Sequence, residues 1–292
     1  MTASRKIVKL ITWNIQWGRG IDGRVDLERI VRTAREIADF DVLCVQEVAD
    51  NFPGLEGSGG ADQFSDLAEL LLPEYRLYAA FGVDVAADGG RRRRFGNAIA
   101  TRYGALSIRR HALPWPADAG KETMPRVAVE LTLQAPMGAL RVATTHLEYC
   151  SDVQRRAQAQ RLRNLHDEAC QRALQPGHPT AEGGPFDATA QATGSILCGD
   201  FNFPPDHAAY GEIQHALASG APRYRDAWEV VHGRHPHTPT FCVHSDEYSK
   251  TPYCCDFVFV SGDIASRVRR IEVDSQTQAS DHQPVLAEID DR

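Results

Sequence analysis

The residues that could do chemistry in this chain are dispersed. Asn14 lies in TWNIQWG, Glu47 in CVQEV and His146 in TTHLE; Asp200 and Asn202 lie in LCGDFNFPP, Asp256 in CCDFVFVS, and Asp281 with His282 in SDHQPV. Singly, each has an ordinary reading as a satisfied turn, a cap or a surface charge. The adjacent Asp281-His282 pair could be a polar turn before a strand. Together, carboxylates and amides without clustered thiolates form a hard, oxygen-rich set suited to Mg²⁺ or Mn²⁺. With two histidines added, the set suits phosphate ester hydrolysis. An ion neutralises phosphoryl oxygens, a base activates water, and donors hold the developing charge.

The elements that must position these residues follow from periodicity. Strands are expected over 6–13, 41–48, 75–82, 96–102, 126–134, 139–146, 195–199, 255–260, 267–273 and 284–289. Asp26 reads as an N-cap, and Leu27, Ile30, Val31, Ala34, Ile37 and Ala38 recur at helical spacing. Further helices are expected over 62–72, 152–174 and 207–218, and 176–194 reads as a long surface loop. Strands and helices that do not alternate strictly suggest α/β layers with antiparallel or mixed sheets. Asn14, Glu47, His146 and Asp200 fall at or just past strand ends, and Asp281-His282 just before one, so they can converge at one sheet edge without burying charge in the core.

In this order, TWN, QE, THL, GDFN, DF and SDH resemble the endonuclease/exonuclease/phosphatase superfamily, the DNase I-like phosphohydrolases, from Thr12 to Pro284. The resemblance implies a four-layered α/β (α+β) sandwich: two mostly antiparallel or mixed sheets packed face to face and flanked by helices, as a single domain over 1–292. It also implies a principal metal ligand at Glu47, with Asn14 and Asp281 near the metal. Asp200 and Asn202 would orient the attacking water and the scissile phosphate. His282 resembles the catalytic histidine, as base or phosphate stabiliser, with Asp256 fixing its tautomer, and His146 resembles a second histidine donating to a phosphate oxygen. Arg126 matches a phosphate-contacting arginine. Where some relatives pair an acid with the second histidine, this chain has Asn97, which can hydrogen-bond His146 but stabilises its charged form less well; with Arg126, Asn97 is also expected to bind the substrate phosphate. Gln16 replaces an Asp found in apurinic endonuclease relatives, which weakens a second tight metal site.

The implied activity is Mg²⁺- or Mn²⁺-dependent hydrolysis of phosphodiester bonds. A nuclease or nucleic-acid end-processing enzyme acting on DNA or RNA comes first, and a small-molecule or lipid-headgroup phosphodiesterase or phosphatase second. A non-catalytic binding module on the same fold is the remote alternative.

Composition sets the limits. The chain has 292 residues, a formal net charge of -7, 42% hydrophobic and 24% charged residues, an ordinary globular profile. Basic surface would have to be local, at Arg91–Arg94 or around Arg155, Arg156, Arg161 and Arg163, and both stretches read first as solvated surface. No apolar run approaches the roughly 18 residues that span a bilayer, and the start reads as leaderless, so a cytoplasmic location without membrane insertion is expected. The 7 cysteines fit reduced thiols. Cys242, His244, Cys254 and Cys255, near His235 and His237, lack paired zinc-knuckle spacing. No Gly-x-Ser-x-Gly elbow and no phosphate-binding Gly-x-x-x-x-Gly-Lys loop is present. Trp13 and Trp17 read as core and rim packing.

Overall fold

A computed structural model describes residues 6–292; the first residues of the expected leaderless start lie outside it. In chain order the strands and helices are β1 (Ile7–Asn14), α1 (Leu27–Ile37), β2 (Val42–Asp50), α2 (Gln63–Leu71), β3 (Arg76–Ala86), β4 (Arg92–Thr101), β5 (Ala105–Ala112), β6 (Val127–Ala135), β7 (Gly138–His146), α3 (Asp152–Leu174), β8 (Ser195–Asp200), α4 (Ala208–Gln214), β9 (Tyr224–Asp226), α5 (Ala227–His232), β10 (Asp256–Ser261), β11 (Val268–Val273) and β12 (Val285–Asp290). They build two 6-stranded sheets, ordered β11-β12-β1-β2-β4-β3 and β5-β6-β7-β8-β10-β9. Each is antiparallel except at its centre, where β1 runs parallel to β2 and β7 parallel to β8.

Alternating side chains explain the layers. Val8 and Leu10, Val42 and Cys44, Val142, Ile196 and Cys198, and Val258 and Val260 meet between the sheets in one buried cluster. The opposite faces bury Ile11, Trp13, Leu43 and Val45 with Ile30, Ala34 and Leu67 of α1 and α2, and Ala143, Leu197, Phe257 and Phe259 with Leu162 and Ile213 of α3 and α4. The result is the expected four-layered sandwich. Asp26 caps α1 by accepting from the Arg29 amide at 2.8 Å, and Ser151 caps α3 by accepting from Gln154 at 3.2 Å. Among the described residues no helix is long and apolar enough to cross a membrane.

Three elements escape the sequence reading: β5, β9 and α5. Strand β5 is an edge strand with an inverted pattern: Leu106 and Ile108 are exposed while Ser107, Arg109 and His111 are half-buried. Asp226 ends β9 and caps α5, accepting from the Trp228 amide at 2.9 Å, so one polar residue closes two elements too short to show a period. Helix α4 ends at Gln214, earlier than expected.

Candidate active site

The inward face of each central strand continues into a polar residue at its end. Behind Thr12 comes Asn14, behind Thr144 comes His146, and behind Cys198 comes Asp200, while Asp256 precedes Val258 on the inward side of β10. Register aligns them: His146 pairs with Asp200 across β7 and β8, and Asp200 with Asp256 across β8 and β10. Gly199 permits this row. Its φ is +134°, and an added Cβ would lie 2.0 Å from the Thr145 carbonyl oxygen. The two sheets are tied just beneath the site, where Gln46 Nε2 donates to Thr12 Oγ1 at 3.2 Å and to Thr144 Oγ1 at 2.8 Å.

Glu47 needs a different device. Strict alternation would put it with Leu43 and Val45, facing the helices. Instead the β2–β4 register shifts between Val45 and Val48, and Glu47 adopts φ 58°, so this bulge turns the carboxylate into the cavity. Asn202 likewise has φ 53°, the kind of backbone strain that persists where surrounding structure enforces it. The 280–282 loop is pinned to β1: Trp13 Nε1 donates to the His282 carbonyl at 3.0 Å, and Ser280 Oγ donates to the Asn14 carbonyl at 2.8 Å.

These elements surround a cavity of about 540 Å³ whose lining includes Glu47, Arg126, His146, Asp200, Asn202, Asp281 and His282. Asn14 Nδ2 donates to Glu47 Oε1 and to Asp200 Oδ2, both at 3.0 Å, and lies 3.5 Å from His282 Nε2. His282 Nδ1 lies 2.9 Å from Asp256 Oδ2, leaving Nε2 toward Asp200, 3.6 Å away. Asn202 donates its backbone N–H to Asp200 Oδ1 at 2.8 Å, and its amide nitrogen lies 2.9 Å from His146 Nε2. His146 Nδ1 is 3.8 Å from Glu47 Oε1.

Burial and neighbouring charge set the protonation tendencies. Burial pushes Asp200 up to about 6, with Asp256 adding to the rise and His282 opposing it. Burial, with Glu47 nearby, also pushes Asp281 to about 6, and burial raises Glu47. Burial, Arg126 and His282 hold His146 well below an ordinary histidine. For His282, burial disfavours the cation, but Asp256, Asp200 and Asp281 outweigh it and hold the ring well above its usual value. A neutral His146 accepting from Asn202 at Nε2 carries its proton on Nδ1.

Asn14, expected near the metal, lies between Glu47 and Asp200 and turns its nitrogen to both, while its Oδ1 accepts from the Gln16 backbone amide at 3.1 Å. One expectation is corrected. Asn97 does not pair with His146: its amide donates to the Val127 carbonyl at 2.9 Å. Arg126 does reach the cavity, held by Glu148 at 3.3 Å, with Nη1 buried and without a hydrogen-bond partner. The residues that spacing did not single out are apolar: Phe52, Leu55, Val83, Phe95, Met124, Phe241 and Tyr248 line the same cavity, as does Trp17, whereas Trp13 is fully buried.

Among the described residues, Asp200, Cys255 and His282 form a group whose ligand atoms lie within 4.8 Å of one another. That triad includes a buried thiol raised well above its usual value and a histidine already held by Asp256. On the cavity side, Glu47 and Asp281 offer hard carboxylate oxygens in a cluster where acids outnumber cations. This pair fits a divalent ion better.

The family profile described as Endonuclease/Exonuclease/phosphatase family matches residues 11–282. No curated protein matches the sequence. Among solved structures, the chain is similar to an endonuclease/exonuclease/phosphatase family protein from Bacteroides thetaiotaomicron, at 18% identity and a TM-score of 0.67, covering 98% of each chain. It is also similar to the mannosyl-6-phosphatase Bt3783 of Bacteroides thetaiotaomicron, at 20% identity and a TM-score of 0.63, covering 96% of this chain and 98% of that one. A truncated Caenorhabditis elegans TDP2 shows 17% identity and a TM-score of 0.61, with 97% of each chain covered. With the family profile spanning nearly its whole length and the sandwich shared with these structures, the chain belongs to the endonuclease/exonuclease/phosphatase family of phosphohydrolases.

Proposed function

We propose that the protein is a divalent-metal-dependent phosphoric ester hydrolase acting by in-line attack of water on phosphorus. The observation that carries this reading is one connected array: Asp256 on His282, His282 facing Asp200, and Asn14 joining Asp200 to Glu47. Glu47 and Asp281 would hold the ion, Mg²⁺ or Mn²⁺, which when bound neutralises phosphoryl charge and makes water a better nucleophile. Asp200 and His282 handle the proton of the attacking water between them, and Asp256 fixes the ring so that Nε2 faces it. Asn202 positions Asp200 and His146. Arg126 Nη1 and the Nδ1 proton of His146 are the donors available to phosphate oxygens.

A compact ester is favoured over a long nucleic acid. Arg92 pairs with Asp84 at 2.5 Å, Arg94 with Asp50 at 2.7 Å and Asp62 at 3.3 Å, and Arg91 lies 3.7 Å from Asp50. On α3, Arg161 pairs with Glu168 and Arg163 with Glu212. Most of the basic runs thus face acids, which leaves few cations to hold a phosphate backbone. The test is hydrolysis of bis-p-nitrophenyl phosphate with Mg²⁺ or Mn²⁺, abolished by EDTA and by His282→Ala. Undiminished turnover in both would refute the reading.

A further inference from the structure

The cavity has a polar floor and apolar walls. Phe52, Leu55, Val83, Phe95 and Met124 are half-buried and belong to none of the buried hydrophobic clusters; their free faces turn to the cavity. Phe241 and Tyr248 form the other wall, and Phe241 packs on the His282 ring at 4.5 Å. The walls are braced. Arg19 pairs with Glu56 at 3.0 Å and Glu247 at 3.1 Å, joining the loop that carries Phe52 and Leu55 to the loop that carries Tyr248. Trp17 Nε1 donates to the Glu56 carbonyl at 2.9 Å, and Phe52 meets Phe95 edge-on at 6.1 Å. Gln16, Trp17, Asn51 and Cys242 all hold φ between 45° and 58°, so the backbone beside each wall is also constrained.

Apolar side chains held open to solvent beside a polar site are the mark of a ligand cavity. Arg126 is the one arginine in this lining. We propose that the cavity takes a bulky apolar group, an aryl or alkyl substituent, borne by the same phosphate whose ester is cleaved, and that Arg19 is the positioning residue that keeps its two walls together. The substrate is then a compact phosphate ester of a hydrophobic alcohol or phenol. This rests on the phosphohydrolase reading above.

The test holds the leaving group constant and varies the other substituent, using methyl, benzyl, octyl and thymidine-5′ p-nitrophenyl phosphates with Mn²⁺. The benzyl or octyl ester should exceed the methyl ester in kcat/KM by about tenfold or more, mainly through KM; the stronger of the two tells an aryl from an alkyl source. That ratio should collapse toward one in Phe52→Ala/Phe95→Ala. Arg19→Ala should raise KM for the preferred ester more than it lowers kcat, with partial recovery in Arg19→Lys. Equal rates for methyl, benzyl and octyl esters, or preference for the thymidine ester, would overturn the inference while leaving the hydrolase reading intact. Should no ester be cleaved, the hydrolase reading fails, and calorimetric titration of benzylphosphonate against methylphosphonate decides the cavity. Tighter benzylphosphonate binding upholds the apolar site; equal or absent binding overturns it.

Discussion

One strand, β7, presents two buried polar clusters, one on each face. Its inward end delivers His146 to the cavity. On the outward face Arg141 is enclosed beneath α3, donating to Glu130 at 3.2 Å and to the Ala192 carbonyl at 2.9 Å, with Nη2 lying 2.6 Å from His166 Nδ1. His166 Nε2 in turn sits 2.8 Å from the Pro222 carbonyl. In this second cluster Glu130 faces two cations, Arg141 and, at 3.8 Å, Arg109, and the other partners of Arg141 are neutral groups, a closed arrangement that holds a helix on a sheet. The cavity cluster has Glu47, Asp200, Asp256 and Asp281 crowded around two histidines, with Arg126 committed to Glu148. Burial alone does not mark function; uncompensated charge facing a cavity does.

The sharpest way to break this comparison is to mutate both clusters. His282→Ala and Asp200→Asn should lower kcat/KM by about a thousandfold or more while the melting temperature holds or rises. Arg141→Ala should do the reverse, destabilising by about 3 kcal/mol because buried Glu130 keeps only the more distant Arg109, 3.8 Å away, with activity per folded molecule retained; denaturant titration beside an active-fraction assay separates the two.

A pH measurement comes next. Burial and Arg141 lower His166 to about 4, whereas an unfolded histidine titrates near 6.5. Between those values the unfolded chain binds a proton that the folded chain refuses. Stability from this residue is therefore full above pH 6.5 and falls by about 3 kcal/mol as pH drops to 4. His166→Gln, which can still accept from Arg141 and donate to Pro222, should flatten that slope in urea titrations across the window. A slope unchanged by the substitution would mean His166 is not its source.

The smallest effect tests the idea of excess charge. Asp281→Asn should raise the melting temperature in EDTA by a few degrees, about 1 kcal/mol, and weaken stabilisation by Mg²⁺. A fall in both conditions would place Asp281 with the structural acids instead.

Period-2 patterning made the strands legible because the inward residues of β1, β7, β8 and β10 stay apolar until their polar ends. It could not foresee Glu47, whose direction depends on a bulge against β4, nor which end of the Asn14 amide meets the carboxylates. Asn97 was misplaced because the sequence puts it on the right strand without telling which carbonyl lies closer. The apolar walls were missed for a related reason. Phe52 and Leu55 sit in a Gly- and Pro-rich loop without periodicity, and their place is set by Arg19, whose partners are distant in sequence. Exposed Leu106 and Ile108 hid β5, since a strand with its polar side half-buried mimics a loop.

The bond from Trp13 to the His282 carbonyl spans 269 residues, and the loop it anchors leads into β12, which lies between β1 and β11. Contacts of such sequence separation carry a large loop-closure entropy and slow folding. The histidine therefore takes its working position only when the first and last strands in chain order have met, so a collapsed intermediate with β2–β8 already paired would be silent. In a refolding experiment, recovery of catalysis should trail recovery of secondary structure, making turnover a clock for the final closure of the first sheet.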